Sequence, residues 1–148
     1  MLLRELEKRV LLCDGAYGTL LQTRNFNVNH DLLGLENCFE MLNYTRPSVI
    51  QDVHRAYLQA GADCIETNTF GANNVVLSEY QFSKIDLSSL NIDNARASLN
   101  SIYQLNLTAA LLAHEVVQEF STTEKPRFVL GSMGPGTKLP SLWQISYD

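Results

Sequence analysis

Apolar residues in this chain fall into short continuous runs or into helical spacing, and polar turns carrying glycine separate the two patterns. Arg9 to Cys13 (RVLLC) is a short apolar run stopped by Asp14-Gly15, the pattern of a buried strand ending in a polar turn. The segment to about Leu42 is irregular, with asparagines at 25, 27, 29, 37 and 43 and single apolar residues between them, and reads as loop with a short helix. From Pro47 to Ala60 the sequence PSVIQDVHRAYLQA puts Ile50, Val53, Tyr57 and Ala60 on one helical face, with Pro47 in the first turn and Gly61 past the end. Ala62 to Thr67 (ADCIET) follows as a second strand and runs into the turn Asn68-Thr69-Phe70-Gly71. A helix beginning near Ala72 fits VVLSEY. The stretch from about Asp93 to Phe120 then spaces Ala95, Leu99, Ile102, Leu105, Ala109, Leu112, Val116 and Phe120 helically, as one helix or two. Pro126 introduces a third strand, Phe128-Val129-Leu130, which opens into Gly131-Ser132-Met133-Gly134-Pro135-Gly136.

Strands alternating with helices predict a parallel α/β sheet, with right-handed crossovers and ligands at the carboxyl ends of the strands. About three strands would leave two unpaired edges and an incompletely covered face, so another chain or a continuation of this one must complete the sheet; a continuation is the expectation.

Composition narrows the function. With 148 residues, 45% hydrophobic and 18% charged, the chain is ordinary globular protein, and a formal net charge of -5 with a pI near 5.1 offers no basic face for nucleic acid. Residues 1–15 mix charges into their apolar positions, without a signal-peptide core or the roughly 20 apolar residues of a membrane span. No membrane role and a cytoplasmic location are expected. Cys13, Cys38 and Cys64 are odd in number and widely scattered, which suits reduced thiols rather than a disulfide framework.

All three glycine-bearing loops follow a strand, and in a (β/α)8 barrel that is the face on which active sites lie. Gly15, Gly18, Gly71, Gly131, Gly134 and Gly136 let backbone approach a ligand, while Asp14, Glu66, Asn68, Thr69 and Ser132 offer hydrogen-bonding groups. The residues also carry a specific likeness: DGAYGTLLQ, NYTRPSVIQDVHRAYLQAGADCIETNTFGAN and VLGSMGPGTKLPSL resemble the first three strand-loop regions of the homocysteine S-methyltransferases. The third motif looks most like its version in the cobalamin-dependent methionine synthase branch, where this barrel is an N-terminal module ahead of folate and cobalamin modules. The likeness covers nearly the whole chain but under half of the family's barrel. It implies that residues 1–148 are the N-terminal portion of a homocysteine-binding (β/α)8 TIM barrel, with the barrel incomplete.

The activity so implied is transfer of a methyl group to the sulfur of homocysteine, yielding methionine, with methylcobalamin as carrier and methyltetrahydrofolate as source. S-methylmethionine or betaine is the alternative donor. A free thiol has a pKa of roughly 8.5, and binding to zinc deprotonates it. In this family the zinc ligands are cysteines on later strands, so none is expected here, and cobalamin and the module bearing it would come from other parts of a full protein. By strand alternation, Asp14 facing a pocket would turn Cys13 outward to the helix layer, while Cys64 shares a face with Glu66 and Asn68. The resemblance assigns Asp14, followed by Gly15, to the substrate ammonium; the alternative is a plain Asp-Gly turn. It also implies polar contacts to homocysteine from some of Glu66, Asn68 and Thr69, which otherwise stabilise their loop. Backbone N–H groups at Ser132 and Gly134 would receive the substrate carboxylate, or else form a rigid proline-glycine turn. His54 and His114 read as structural.

Three features depart from the family pattern. Tyr17 stands where methionine is usual, Trp143-Gln144 where glycine-histidine is usual, and the stretch from Asp86 to Ser101 looks longer than the usual link, as if an outer helix were lengthened. Two other readings remain open from sequence. One is a phosphate-binding barrel, disfavoured because Lys138 is the sole basic residue at these loops; the other is an inactive truncated product.

Overall fold

The computed structural model describes residues 2–85, 87, 102–138, 140–142 and 144. In chain order the helices are α1 (Leu2–Leu6), α2 (Tyr17–Gln22), α3 (Val28–Asp31), α4 (Leu42–Thr45), α5 (Pro47–Ala60), α6 (Asn74–Glu79) and α7 (Ile102–Phe120). The strands are β1 (Cys64–Glu66), after α5, and β2 (Phe128–Leu130), after α7. They pair in parallel, Cys64 with Phe128, Ile65 with Val129 and Glu66 with Leu130. The described residues thus form a small parallel α/β sheet and do not close a barrel.

The expected strand from Arg9 to Cys13 is reduced to one parallel bridge, Cys13 to Cys64. Around it Asp63 and Cys64 donate their N–H groups to Leu12 O, and Asp14 donates to Cys64 O. The segment pairs on one side only, with Val10 83% and Leu12 62% exposed, so no regular ladder forms. The bridge also corrects the expected direction of Cys13. Ile65 packs among Leu58, Ala113, Val116 and Val117 of α5 and α7, so Cys64 lies on the opposite side of β1, and its bridge partner Cys13 lies there with it. Alternation failed as a guide because regular strand structure is absent there, leaving Asp14 to be placed by its side-chain hydrogen bond.

Helix α5 ends where expected and for the expected reason. Gly61 adopts φ +113°, its N–H donates to Leu58 O, and the Ala62 N–H donates to Tyr57 O, a Schellman closure that turns the chain directly into β1. The buried face is Ile50, Val53, His54 and Leu58; of the other positions expected on it, Tyr57 is half-buried and Ala60 is exposed. On α7 the buried row runs Leu105, Thr108, Ala109, Leu112, Ala113, Val116 and Val117, and meets α5 over Leu112 and Ala113. The expected helical positions Ala95 and Leu99, the link Asp86 to Ser101, and Trp143 lie outside the described residues, apart from Leu87, which is buried.

At the amino-terminal end of the sheet, Asp63 Oδ2 accepts from Arg9 Nη1 at 2.9 Å and Leu12 N at 3.1 Å, and Oδ1 accepts from Arg127 Nη1 at 3.4 Å. Arg127 Nη1 also donates to the carbonyls of Gly61 and Ala62. The hydrogen bond from Arg9 is the main reason the Asp63 carboxyl is held below its usual pKa, against the opposing effect of burial.

His54 is fully buried, has no hydrogen-bond partner at either ring nitrogen among the described residues, and stacks at 5.5 Å from Tyr17. Burial pushes its pKa down to about 4. The unfolded chain, with an ordinary value near 6.5, therefore binds a proton between pH 6.5 and 4 that the folded chain refuses, and stability falls as pH falls through this window. Asp14, whose carboxyl pKa is raised, acts in the opposite sense. Urea unfolding of wild type and His54→Phe from pH 7 to 4.5 is expected to show the steeper loss in wild type, by roughly 2 kcal/mol over the window. Equal slopes would show that His54 does not titrate in this way.

Candidate functional site

The carboxyl ends of β1 and β2 open into the loops 67–73 and 131–137, and the turn after Cys13 lies beside them. Between these loops and α2 lies a cavity of about 370 Å³ lined by Gly15, Tyr17, Gly18, Leu21, Asn37, Phe39, Glu40, Glu66, Thr67, Asn68, Thr69, Phe70 and Ser132. Of the residues singled out in the sequence, Gly15, Gly18, Glu66, Asn68, Thr69 and Ser132 line it directly. Asp14 adjoins it through Glu66, and Gly134 adjoins it through Phe70.

Asp14 is half-buried, and its Oδ2 accepts the Glu66 N–H at 2.9 Å. Burial raises its carboxyl pKa and the Glu66 charge adds to this, against the main-chain N–H that favours ionisation. The exposed Glu66 side chain accepts from Ser132 Oγ at 2.7 Å through Oε2, and Oε1 has no protein partner among the described residues. The half-buried Asp14 carboxylate therefore sits against the Glu66 main chain beside the cavity, and Glu66 lines the cavity with an oxygen to spare. A cation is the natural complement of such a pair.

The hydroxyls of Thr67 and Thr69 close a ring with Ser132. Ser132 N–H donates to Thr67 Oγ1 at 3.0 Å, and Thr69 Oγ1 donates to Ser132 O at 2.7 Å. The threonine oxygens are 2.6 Å apart. Because Thr69 has spent its single proton on Ser132 O, Thr67 donates to Thr69, and every donor in the ring has one acceptor. The ring locks the second loop to the third. Gly134 completes the lock: its N–H donates to Phe70 O at 3.0 Å, and a Cβ there would lie 2.5 Å from that oxygen, so only glycine permits this approach. The N–H groups of Ser132 and Gly134 are thus both engaged within the protein.

Asn68 is buried and turned toward the neighbouring segment. Its Nδ2 donates to Phe39 O at 2.8 Å and to Asn43 Oδ1 at 3.3 Å, and its carbonyl accepts from Asn43 Nδ2 at 2.9 Å. Sequence reasoning missed Thr67, Tyr17, Phe39 and Glu40 as site residues. Thr67 had a legible signal, since Thr67 and Thr69 share a side in an extended chain. The contribution of residues 37–40 had none, because nothing local in an irregular segment says which strand end it packs against.

The profile described as Homocysteine S-methyltransferase matches residues 11–148. Methionine synthase of Mycobacterium leprae is 42% identical over 146 residues and that of Mycobacterium tuberculosis 41%, in each case over 99% of this chain and 11% of the relative. The fold resembles that of the homocysteine methyltransferase MmuM from Escherichia coli. Its metallated form matches with TM-score 0.61 and 24% identity, over 89% of this chain and 40% of that one; its oxidized form gives 0.57 and 24%, over 87% and 39%.

Removing a hydroxyl from the threonine ring strands a partner. Thr67→Val leaves the Ser132 N–H unpaired and is expected to destabilise the chain by about 1–3 kcal/mol in urea titrations. Thr67→Ser, which keeps the hydroxyl, is expected to lose less than half as much; equal losses would assign the effect to packing and dissolve the ring.

Proposed function

Since this chain belongs to the homocysteine S-methyltransferase family, we propose that residues 1–148 are the opening portion of a homocysteine-binding barrel and contribute the amino-acid end of a site that methylates the homocysteine thiol to give methionine. The chain spans about a tenth of the length of the methionine synthases it matches, so catalysis belongs to a larger protein. The observation that carries the reading is the Asp14–Glu66 pair beside a cavity of amino-acid size.

In this reading the substrate ammonium sits against the Asp14 and Glu66 carboxylates, where its charge offsets the burial and mutual repulsion that raise the Asp14 pKa. The aliphatic stem packs along Leu21, Phe39 and Phe70, which line the same cavity. Gly15 gives room at the first loop. Thr69, Ser132, Gly134 and Asn68 hold the wall rigid, which fixes where the thiol emerges.

The zinc implied by the family has no fitting donor set here. Among the described residues no three His, Cys, Asp or Glu side chains converge. Burial, aided by Glu40, pushes the Cys38 thiol up to about 12, and burial, aided by Cys13, pushes Cys64 up to about 11, so both favour the protonated form. No donor set for the metal is present among the described residues, and activation of the thiol falls to other parts of the protein. Identity of 41–42% to methionine synthases supports that branch, with methyltetrahydrofolate as source, cobalamin as carrier and a cobalamin-bearing module as partner, over a donor such as S-methylmethionine or betaine. The three free cysteines accord with a cytoplasmic setting.

In the full-length protein, Asp14→Asn and Glu66→Gln are each expected to raise the KM for homocysteine about tenfold or more, with a smaller change in kcat. The decisive comparison is 4-mercaptobutyrate, which lacks the amino group. Wild type should prefer homocysteine over it and the variants should not; undiminished preference in both variants would remove these carboxylates from the ammonium site.

A further inference from the structure

Loop 67–73, which forms one wall of the cavity, is held by residues 39–43, and its main-chain tether is an acid. Glu40 Oε1 accepts the Gly71 N–H at 2.6 Å, and Cys38 Sγ lies 3.7 Å from Oε2 as its donor. A Cβ on residue 71 would meet Glu40 Oε1 at 2.7 Å and Val76 Cγ1 at 3.3 Å, so the absence of a side chain at 71 is what lets the carboxylate reach the main chain. Asn43 and Phe39 hold Asn68 three residues earlier. Between these two anchors stands Phe70, 64% exposed, whose carbonyl receives the Gly134 N–H.

Glu40 also lines the cavity, which would make it a third carboxylate for a substrate ammonium. Its contacts say otherwise. Both of its oxygens are engaged by groups of the protein, whereas Glu66 keeps Oε1 unengaged among the described residues. A charged acceptor at 2.6 Å from a main-chain N–H is a strong tether, and it acts on the residue next to the aromatic wall.

We propose that Glu40 is a positioning residue for the homocysteine site: by holding Gly71 it sets the height of Phe70 over the cavity and hence the fit of the substrate stem. This rests on the function proposed above. It adds a role for an acid from the irregular segment, acting through loop 67–73 rather than on the substrate.

The test uses the full-length protein with Glu40→Ala, Glu40→Gln and Gly71→Ala, read by steady-state methylation and by hydrogen exchange at the Gly71 amide. Glu40→Gln keeps an oxygen for the Gly71 N–H, so its KM for homocysteine should stay within about twofold of wild type, whereas Glu40→Ala should raise KM about tenfold with kcat changed less than about twofold. Gly71 exchange should be faster by about tenfold or more in Glu40→Ala alone. Preference for homocysteine over 4-mercaptobutyrate should persist in Glu40→Ala, which a lost ammonium contact would not allow. An unchanged KM in Glu40→Ala, or a Glu40→Gln variant as impaired as Glu40→Ala, overturns the proposal. Should Glu40→Ala not fold, Gly71→Ala strains the same contact from the other side, and an unchanged KM there overturns it equally. If wild type does not methylate homocysteine, the functional reading fails by itself, while Gly71 exchange still reports on the tether.

Discussion

Everything at the carboxyl ends of the strands depends on a buried ionic junction at their other ends. Asp63 receives Arg9, Arg127 and the Leu12 N–H on its carboxylate, donates its own N–H to Leu12 O, and accepts the Phe128 N–H on its carbonyl. One residue therefore sets the register among the chain before Cys13, β1 and β2. Its side chain is only 5% exposed, so loss of either charge partner would leave a poorly hydrated charge, the costly case for a buried ion pair. Such a junction is a device of specificity more than of net stability, since only one arrangement of the three segments satisfies it.

With the register set at one end, the loops at the other arrive at fixed separations. The threonine ring and the Gly134–Phe70 contact turn that proximity into a rigid wall, and Glu40 and Asn43 tether the wall to the preceding irregular segment. The division of labour is physical: charges buried at the amino-terminal ends define position, and the groups with an unengaged oxygen stand at the carboxyl ends, where the cavity opens. Helices α5 and α7 supply the apolar backing on which both depend, through Leu58, Ile65, Ala113 and Val116.

On the side of the sheet away from those helices Cys64 and Phe128 are buried, while Glu66 is exposed. Parallel sheets are stable when covered on both faces, and the exposed Leu12 and Val10 lie on a segment paired on one side only. The likeness to the MmuM fold extends over 40% of that protein.

The strength of local signals decided what could be read in advance. Helix α5, its glycine stop and the strands Cys64–Glu66 and Phe128–Leu130 follow from 3.6-residue spacing, Pro at the start, Gly past the end and short apolar runs, all of which act over a few residues. Gly15, Glu66, Asn68, Thr69 and Ser132, singled out at the strand-end loops by their resemblance to a family's motifs, line one cavity. What each does within it was not legible in advance. Whether Asn68 faces a ligand or Phe39, whether the Ser132 N–H is free or spent on Thr67, whether Cys13 turns toward the helices or lies beside Cys64, and whether residues 37–40 reach the cavity at all depend on partners 25 to 65 positions away. Sequence determined helix α5 and the two strands that form the sheet. Only the tertiary structure decided which polar groups are consumed by the fold and which are left for a ligand, because a hydrogen-bond donor cannot be counted as available until its neighbours in space are known.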